Sequence, residues 1–345
     1  MDPISIDIKS MTIPELEAYL KNLGQPKFRA KQIFSWLHDK RVLSFDEMMN
    51  LPAALRESLK NDCEIAAFTT ERKLCSNLDG TIKYLYRLSD GEYVESVLMR
   101  YEHGNSLCIS TQVGCRMGCS FCASTKAGFV RHLTASEILE QVYAAGRDTG
   151  ERVSSIVLMG IGEPLDNFDN VMRFLELVSA PEGLNLSHRH ISLSTCGLVD
   201  RIYELADMDL QITLSISLHA TTDETRDAIM PVNHKWKIGE LLKACRYYTD
   251  KTHRRISYEY SLISGVNDSS EQAAELAALL RGTLCHVNLI PINYVEEAGY
   301  EKSSRQRIYA FQKILCDRGV NATVRRTLGA DIDAACGQLR RQALR

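Results

Sequence analysis

Between about residue 105 and residue 326, short apolar segments alternate with amphipathic ones, and few folds accommodate that order. The apolar segments have the length of β-strands, and the segments between them carry apolar residues at helical spacing. A strand–helix–strand alternation of this length predicts an α/β fold with a parallel sheet and right-handed crossovers. On the pattern alone, the sheet is either doubly wound or a full or partial barrel. The predicted strands are 107–111, 155–159, 190–195, 211–217, 255–262, 286–290 and 322–326, and the predicted helices are 135–143, 169–177, 238–248, 270–280 and 304–317.

The chain before this region has two other patterns. Residues 11–62 carry apolar residues at helical spacing and predict a compact helical unit, whose third helix runs from about residue 45 to 59 with Asp46 as its cap. Residues 83–88 and 93–99 alternate as strands do, and the turn between them contains Asp90 and Gly91. We therefore predict an N-terminal helical domain (1–66), a β-hairpin extension (67–100) and a main domain (101–345).

Composition narrows the class of protein. A chain of 345 residues with 45% hydrophobic and 25% charged residues can bury a sizeable core. The net charge of −3 excludes a basic field over the whole protein, so any RNA contact must come from local patches. Neither a signal peptide nor a membrane-spanning segment is predicted, and we expect a cytoplasmic protein. Eleven unevenly spaced cysteines do not fit a secreted disulfide framework and favour metal ligation or redox chemistry.

Three of those cysteines lie in one loop after the first predicted strand of the main domain. Cys115, Cys119 and Cys122 have the spacing C-x3-C-x2-C, and three thiolates this close can hold one four-iron cluster. Three ligands leave one iron open for a substrate. The alternatives are three unrelated thiols or a zinc site, which needs a fourth ligand such as His103, His132 or another cysteine.

Other loops that follow predicted strands are rich in glycine and hydroxyl groups. Residues 159–164 contain Gly162 and Glu163, and such a segment by itself is an ordinary strand-to-helix turn. Ser194, Ser217 and His219 end the next two strands, and serines at strand ends are by default turn residues. Because ligands bind at the carboxyl ends of parallel strands, we expect these loops to surround one site.

The cysteine loop, with Phe121 before its last cysteine, resembles the signature of the radical S-adenosylmethionine (SAM) superfamily. The resemblance implies a partial (βα)6-type TIM barrel, with a [4Fe–4S] cluster on the three cysteines whose open iron chelates SAM. Cleavage of SAM there yields a 5′-deoxyadenosyl radical, and the cofactor carries this chemistry. The SAM contacts that the resemblance implies are Gly162, Glu163, Ser194, Ser217, Leu218, His219 and Asn293.

Two further segments, 106–115 and 331–339, resemble a narrower family, the dual-specificity RNA adenine-C2 methyltransferases (RlmN). In that family a cysteine, here Cys336, carries the methyl group as S-methylcysteine, and two SAM molecules are used per turnover. Cys108 resolves the RNA adduct through a transient disulfide with Cys336, and Glu95 matches the proposed proton acceptor. The implied partners are 23S rRNA, tRNA and an electron donor such as flavodoxin or ferredoxin, and we expect a monomer.

Alternatives to this function are a C8-methylating sister family and a radical SAM enzyme acting on another substrate. Pro291 favours C2, and the second of these alternatives does not explain Cys108 and Cys336 together. A different class is a zinc-stabilised RNA-binding protein without catalysis, which would be colourless where an iron–sulfur protein is brown. The candidate phosphate contacts are Lys27, Arg29, Lys31, Lys40 and Arg41 near the N-terminus and Arg325, Arg326, Arg340, Arg341 and Arg345 near the C-terminus.

Overall fold

The computed structural model describes residues 5–292 and 299–332 of the chain. Its first part is helical, as predicted, and two short strands, β1 (Ile6–Asp7) and β2 (Cys63–Glu64), pair in parallel and join its two ends. The third predicted helix is different, because Ser44 caps a short 3-10 turn and the α-helix begins only after Pro52. Proline disfavours helical backbone at the residue before it, so the two segments cannot merge. The helices are α1 (Ile13–Asn22), α2 (Phe28–His38) and α3 (Ala53–Asp62).

Buried polar contacts attach the helical unit to the main domain. The Lys9 ammonium forms a fully buried ion pair with Glu140, and His38 Nδ1 lies 3.0 Å from the Tyr143 hydroxyl. Burial lowers the pKa of His38 to about 3, so the ring is neutral at physiological pH. The division of the chain at residues 66 and 100 stays a prediction.

A ten-stranded sheet forms the centre of the described structure. Its order is β14-β13-β12-β11-β10-β9-β6-β5-β4-β3, with parallel pairing from β14 to β6 and antiparallel pairing from β6 to β3. The predicted hairpin is therefore confirmed as a pair of strands and is part of the barrel sheet. The strands are β3 (Thr69–Cys75), β4 (Ile82–Arg87), β5 (Tyr93–Tyr101), β6 (Gly104–Cys108), β9 (Val153–Leu158), β10 (Ile191–Thr195), β11 (Thr213–Ser217), β12 (Ile256–Leu262), β13 (Cys285–Pro291) and β14 (Ala322–Val324), and β7 (Gln112–Gly114) pairs separately with β8 (Phe129–His132).

Helices connect the parallel strands and bury their apolar faces against the sheet. All seven strands and five helices predicted from the alternation are present, and the predicted α/β class is confirmed. The sequence pattern does not predict helices α7 (Val199–Asp207) and α8 (Asp223–Ile229), because nine and seven residues give too little periodicity. The helices are α4 (Ala123–Lys126), α5 (Ala135–Thr149), α6 (Phe168–Ser179), α7 (Val199–Asp207), α8 (Asp223–Ile229), α9 (Ile238–Thr252), α10 (Ser270–Leu280) and α11 (Arg305–Asp317).

The sheet is strongly curved, because its two edges are joined by a short piece of chain. Asp331 accepts hydrogen bonds from the turn after β3, although only seven residues separate it from the end of β14. Seven residues reach at most about 25 Å. In a flat sheet the two edge strands, β14 and β3, would be nine spacings or about 43 Å apart, at ~4.8 Å per strand. The curvature is that of a partial barrel, and its open side is crossed by residues 325–331.

No helix in the described part of the chain has the length and apolar character needed to cross a membrane.

Candidate active site

A cavity of about 210 Å³ lies at the carboxyl ends of the parallel strands. It contains all three cysteines of the loop and most of the predicted strand-end residues. Several other lining residues are not indicated by the sequence patterns. They belong to the same loops or lie on strands for which the pattern does not show which face points inward. The predicted residues in its lining are Cys115, Cys119, Cys122, Gly162, Glu163, Ser194, Ser217 and His219, and the unpredicted ones include Thr195, Cys196, Glu259 and Ser261. Phe121 of the cysteine signature and Arg325, a candidate phosphate contact, also line it.

The cysteine loop runs from β7 to α4 and is held by backbone hydrogen bonds. Cys115 N donates to Gly128 O at 3.2 Å, and Ser120 N donates to Ile229 O at 3.0 Å. Gly114 has φ +79°, and a Cβ there would lie 1.7 Å from the Gly128 oxygen. Only glycine fits this turn, which directs the following cysteines into the cavity.

The environment of the loop cysteines disfavours their thiolate form unless a cation lies close by. Cys115 and Cys119 are buried, and burial together with the neighbouring Cys122 raises the pKa of Cys115 to about 12. Burial raises the pKa of Cys119 in the same way. Metal ligation requires thiolates, and bound metal supplies the charge that stabilises them. Two buried thiols and one half-buried thiol in one cavity therefore fit a metal-containing group.

The arrangement fits a cluster better than a single zinc ion. Among the described residues, no three His, Cys, Asp or Glu side chains converge as ligands of one ion. Zinc needs all its ligand atoms within about 2.3 Å of one point, whereas each thiolate of a cubane cluster binds a different iron. The two histidines considered as a fourth ligand point elsewhere, since His132 contacts Gln112 at 3.1 Å and His103 stacks on Tyr101.

Glu163 ties two strand ends together at the cavity wall. Its carboxylate accepts hydrogen bonds from Leu165 N at 3.0 Å and from Cys196 N at 2.7 Å. Burial raises the pKa of Glu163, and these hydrogen bonds oppose that rise. The side chains of Thr195 and Cys196 are further hydrogen-bond partners of this carboxylate. Gly162 before it has φ +109° and no room for a Cβ, since Gln112 Cβ would be 2.6 Å away.

His219 presents a defined tautomer to the cavity. Its Nδ1 accepts a hydrogen bond from Ser261 N at 2.9 Å, so Nε2 carries the proton. Burial, with the nearby Arg226 charge, lowers the pKa of His219 to about 3. The ring therefore stays a neutral donor, and it packs edge-on against Phe121. The preceding Leu218 is fully buried and is not among the lining residues of the cavity.

Cys108 and Glu95 lie on the sheet beside the cavity. Cys108 on β6 pairs with Val97 on β5 and with Val157 on β9, and the next side chain on that face of β9 is Met159, which lines the cavity. Glu95 is two residues from Val97 and shares its face. Its buried carboxylate lies 3.2 Å from the Lys83 ammonium.

The chain after β14 passes over Cys108. Leu328 packs against the small apolar cluster of Cys108, Val97 and Met99. Gly329 N then donates to Asp79 Oδ2 at 2.8 Å. Asp331 accepts from Ser76 Oγ at 2.7 Å and from Asn77 N at 2.9 Å. We term these contacts with the turn after β3 the C-terminal clamp, and they fix the chain at Asp331, five positions before Cys336. Cys336 and Asn293 themselves lie outside the described residues.

Comparisons with known proteins agree with this site. Residues 109–277 match the radical SAM superfamily, and residues 6–65 match the family described as the ribosomal RNA large subunit methyltransferase N-terminal domain. A probable dual-specificity RNA methyltransferase RlmN of Lachnospira eligens is 54% identical over 97% of this chain and 95% of its own length. Its counterpart in Clostridium botulinum is 54% identical over 98% of this chain and 97% of its own length.

A solved structure has the same fold over nearly the whole chain. The radical SAM methyltransferase from Sphaerobacter thermophilus superposes with a TM-score of 0.92 at 45% identity, covering 96% of this chain and 98% of that one. The helical unit, the hairpin strands and the barrel therefore occur together in a solved relative.

Proposed function

Because the chain belongs to the RlmN family of radical SAM RNA methyltransferases, we propose that it methylates C2 of one adenine in 23S rRNA, in the peptidyl-transferase centre, and of the adenine beside the anticodon in some tRNAs. The predicted family and the predicted activity, a SAM-dependent RNA methyltransferase, are confirmed by these relatives. The superfamily implies a [4Fe–4S] cluster and SAM. Use of two SAM molecules per turnover, a flavodoxin or ferredoxin as electron donor, a monomeric state and a cytoplasmic location are parts of the proposal.

One observation carries the two-cysteine mechanism. Cys108 belongs to a small buried cluster with Val97 and Met99, and Leu328 of the clamped C-terminal chain packs against that cluster. Only four residues separate Ile332 from Cys336, and four residues reach at most about 14 Å. Met159 links the same apolar cluster to the cavity that contains the three cysteines. The described chain thus runs past the Cys108 cluster shortly before Cys336, which supports the proposal that Cys336 acts with Cys108 at the cavity.

The chemistry of the substrate explains why a cysteine is needed. C2 of adenine is an electrophilic, amidine-type carbon, so it cannot displace the methyl group from SAM. A thiolate can, and Cys336 takes the methyl group of one SAM by displacement at carbon. When bound, the cluster and a second SAM would supply the one-electron chemistry that joins the methyl carbon carried by Cys336 to C2.

The remaining steps belong to this chain's own residues. Glu95 takes the C2 proton. The Cys108 thiolate attacks the Cys336 sulfur and breaks the bond between that sulfur and the carbon attached to C2; this carbon keeps the electron pair, takes up a proton and becomes the methyl group of the released RNA. The resulting disulfide holds two thiols in oxidised form, so an external thiol reductant must restore them before the next turnover.

Glu95→Gln is expected to slow product formation by about 10²-fold or more, because an amide cannot accept the C2 proton. Methylation of Cys336 should continue, since no proton leaves C2 in that step. Both can be followed in one reaction by mass spectrometry of the Cys336 peptide and of the digested RNA.

The buried pair with Lys83 makes a stability control necessary. Removing one partner of a buried ion pair typically costs about 3–5 kcal/mol. The double variant K83M/E95Q removes both charges and should recover folding stability, but it should not recover product formation. A double variant with the activity of the wild type would exclude Glu95 as the proton acceptor.

Asp331→Ala is expected to slow the methylation of Cys336 by about tenfold, because the C-terminal chain loses the acceptor for Ser76 and Asn77 and Cys336 spends less time at the cavity. Peptide mass spectrometry after a timed incubation with SAM measures this rate. Iron content and SAM affinity should be unchanged. The matched control is Asp207→Ala, which removes an aspartate bonded to Tyr247 at the end of α7. Equal methylation rates in both variants would mean that the clamp has no part in placing Cys336.

RNA contact by the helical unit is also part of the proposal. The structure gives several of the predicted basic residues internal partners, since Lys27 pairs with Glu17 at 3.0 Å and Lys31 lies 3.8 Å from Glu182. The Lys40 ammonium lies over the Trp36 ring at 3.5 Å. Surface ion pairs of this kind are weak and exchange readily with phosphate, so they leave the patch able to bind RNA.

The test of the function is mass spectrometry of nucleosides from rRNA and tRNA after anaerobic incubation with the reconstituted protein, SAM and a reductant. We expect 2-methyladenosine. 8-Methyladenosine would retain the cysteine mechanism and place the activity with the sister family. A protein with an intact cluster and no methylated adenosine in either RNA would overturn the proposed substrate.

A further inference from the structure

Arg226 is a fully buried cation behind the cavity. It lies on α8, and its side chain ends between the carboxyl ends of β10 and β11. Nη2 donates to Cys196 O at 2.7 Å and to Ser217 O at 3.0 Å, and Nε donates to Leu218 O at 3.1 Å. Arg226 thus binds the backbone of both strand ends that carry the predicted SAM contacts.

All the close partners of Arg226 are neutral. The fourth is the Asn233 side-chain oxygen, at 3.1 Å from Nη1. In the described part of the chain no carboxylate lies within 4.0 Å of the guanidinium. Asp223 acts from further away, and it accepts hydrogen bonds from Asn233 and Ile238. Burial lowers the pKa of Arg226, but a guanidinium stays protonated in proteins. A buried cation without a counter-charge is strongly unfavourable, so a negative group is expected close by.

The cysteine loop packs on the end of the same helix. Ser120 N donates to Ile229 O, three residues beyond Arg226, and Pro231 packs against Gly118. Cys196, whose carbonyl Arg226 binds, lines the cavity together with Cys119. The group that faces Arg226 across this layer is therefore the cluster with its three thiolates, which is net negative when assembled.

We propose that Arg226 is the buried counter-charge of the iron–sulfur cluster and raises its reduction potential. Reduction adds one electron to an already negative group, and a fixed positive charge in a low-dielectric interior stabilises the reduced form more than the oxidised form. The effect makes the cluster easier to reduce by a weak physiological one-electron donor. Arg226 acts through the cluster and does not touch the reacting atoms, so it is a positioning and tuning residue. The inference rests on the cluster that the superfamily implies and is independent of the RNA substrate.

The test is a redox titration of the reconstituted protein, without SAM or RNA, followed by electron paramagnetic resonance of the reduced cluster. In R226Q the ratio of reduced to oxidised cluster at a fixed potential should fall by about tenfold, equal to about 59 mV for a one-electron couple. R226K keeps the charge and should stay close to the wild type. The matched control is R254Q, because Arg254 donates to Ile212 O at the opposite end of β11. R254Q should leave the potential unchanged.

The variants separate charge from structure. Equal shifts in R226Q and R226K, or no shift in R226Q, would overturn the proposal, because a structural role depends on the guanidinium geometry that both variants lose. The iron content of the purified variants tests the same distinction between charge and structure. A cluster held by R226K but lost from R226Q supports the counter-charge, whereas loss from both contradicts it. Failure of the wild-type protein to take up iron would refute the cluster itself, and iron analysis detects that separately.

Discussion

Replacing Cys336 with alanine is expected to abolish RNA methylation, by at least about 10³-fold, while the cluster and SAM binding are retained. The reason is chemical, because without this thiolate no residue receives the methyl group that has to be delivered to an electrophilic carbon. The cluster ligands are on a different loop, Cys115 to Cys122, and the described cavity lining does not depend on Cys336. Iron content, visible absorption and RNA nucleoside analysis on the same preparation measure the two halves of this prediction.

A second cysteine serves as the control for Cys336. Cys316 is exposed on α11, and Cys316→Ala should keep full activity. Methylated RNA produced by Cys336→Ala at the rate of Cys316→Ala would rule out the S-methylcysteine route. Such a result would leave the fold, the family and the cluster untouched, because none of them rests on that residue.

Replacing Cys108 with alanine is expected to trap the RNA on the protein. Cys336 can still be methylated and joined to C2, but no thiolate is present to attack its sulfur. Turnover should therefore stop after at most about one adduct per protein molecule. The adduct survives denaturation, so denaturing electrophoresis and mass spectrometry detect it as a protein linked to RNA. Nuclease digestion should leave a nucleotide on the Cys336 peptide.

The packing around Cys108 implies that Cys108→Ala destabilises the fold only slightly. Its side chain belongs to a small cluster with Val97 and Met99, apart from the main core, so a lost sulfur leaves only a small cavity. The control is Cys75→Ala, at an exposed position on β3. If Cys108→Ala turns over repeatedly and no adduct forms, another group must release the product and Cys108 is not the resolving thiol.

Much of the fold follows from local sequence patterns. Strand and helix periodicity placed β6 and β9–β14 and the five longer barrel helices, because each pattern reports burial of one face of one element. The cysteine loop was equally readable, since its three ligands are within eight residues of one another. The third N-terminal helix was predicted too early in the chain, because the break at Pro52 was not applied to the pattern. The barrel shape came from the family resemblance, because alternation alone allows an open sheet as well.

The sequence by itself determined the elements, the family and the residue types of the chemistry, since these are encoded within short stretches of chain. Only the tertiary structure decided which distant residues meet. Curvature of the sheet brings Leu328 against the cluster that contains Cys108, and it brings Asp331 to Ser76. Both pairs are more than 200 positions apart in sequence. The same packing places Arg226 against the ends of β10 and β11, beside the proposed cluster site. Such contacts depend on how strands twist and close around one core, and no local pattern carries that information.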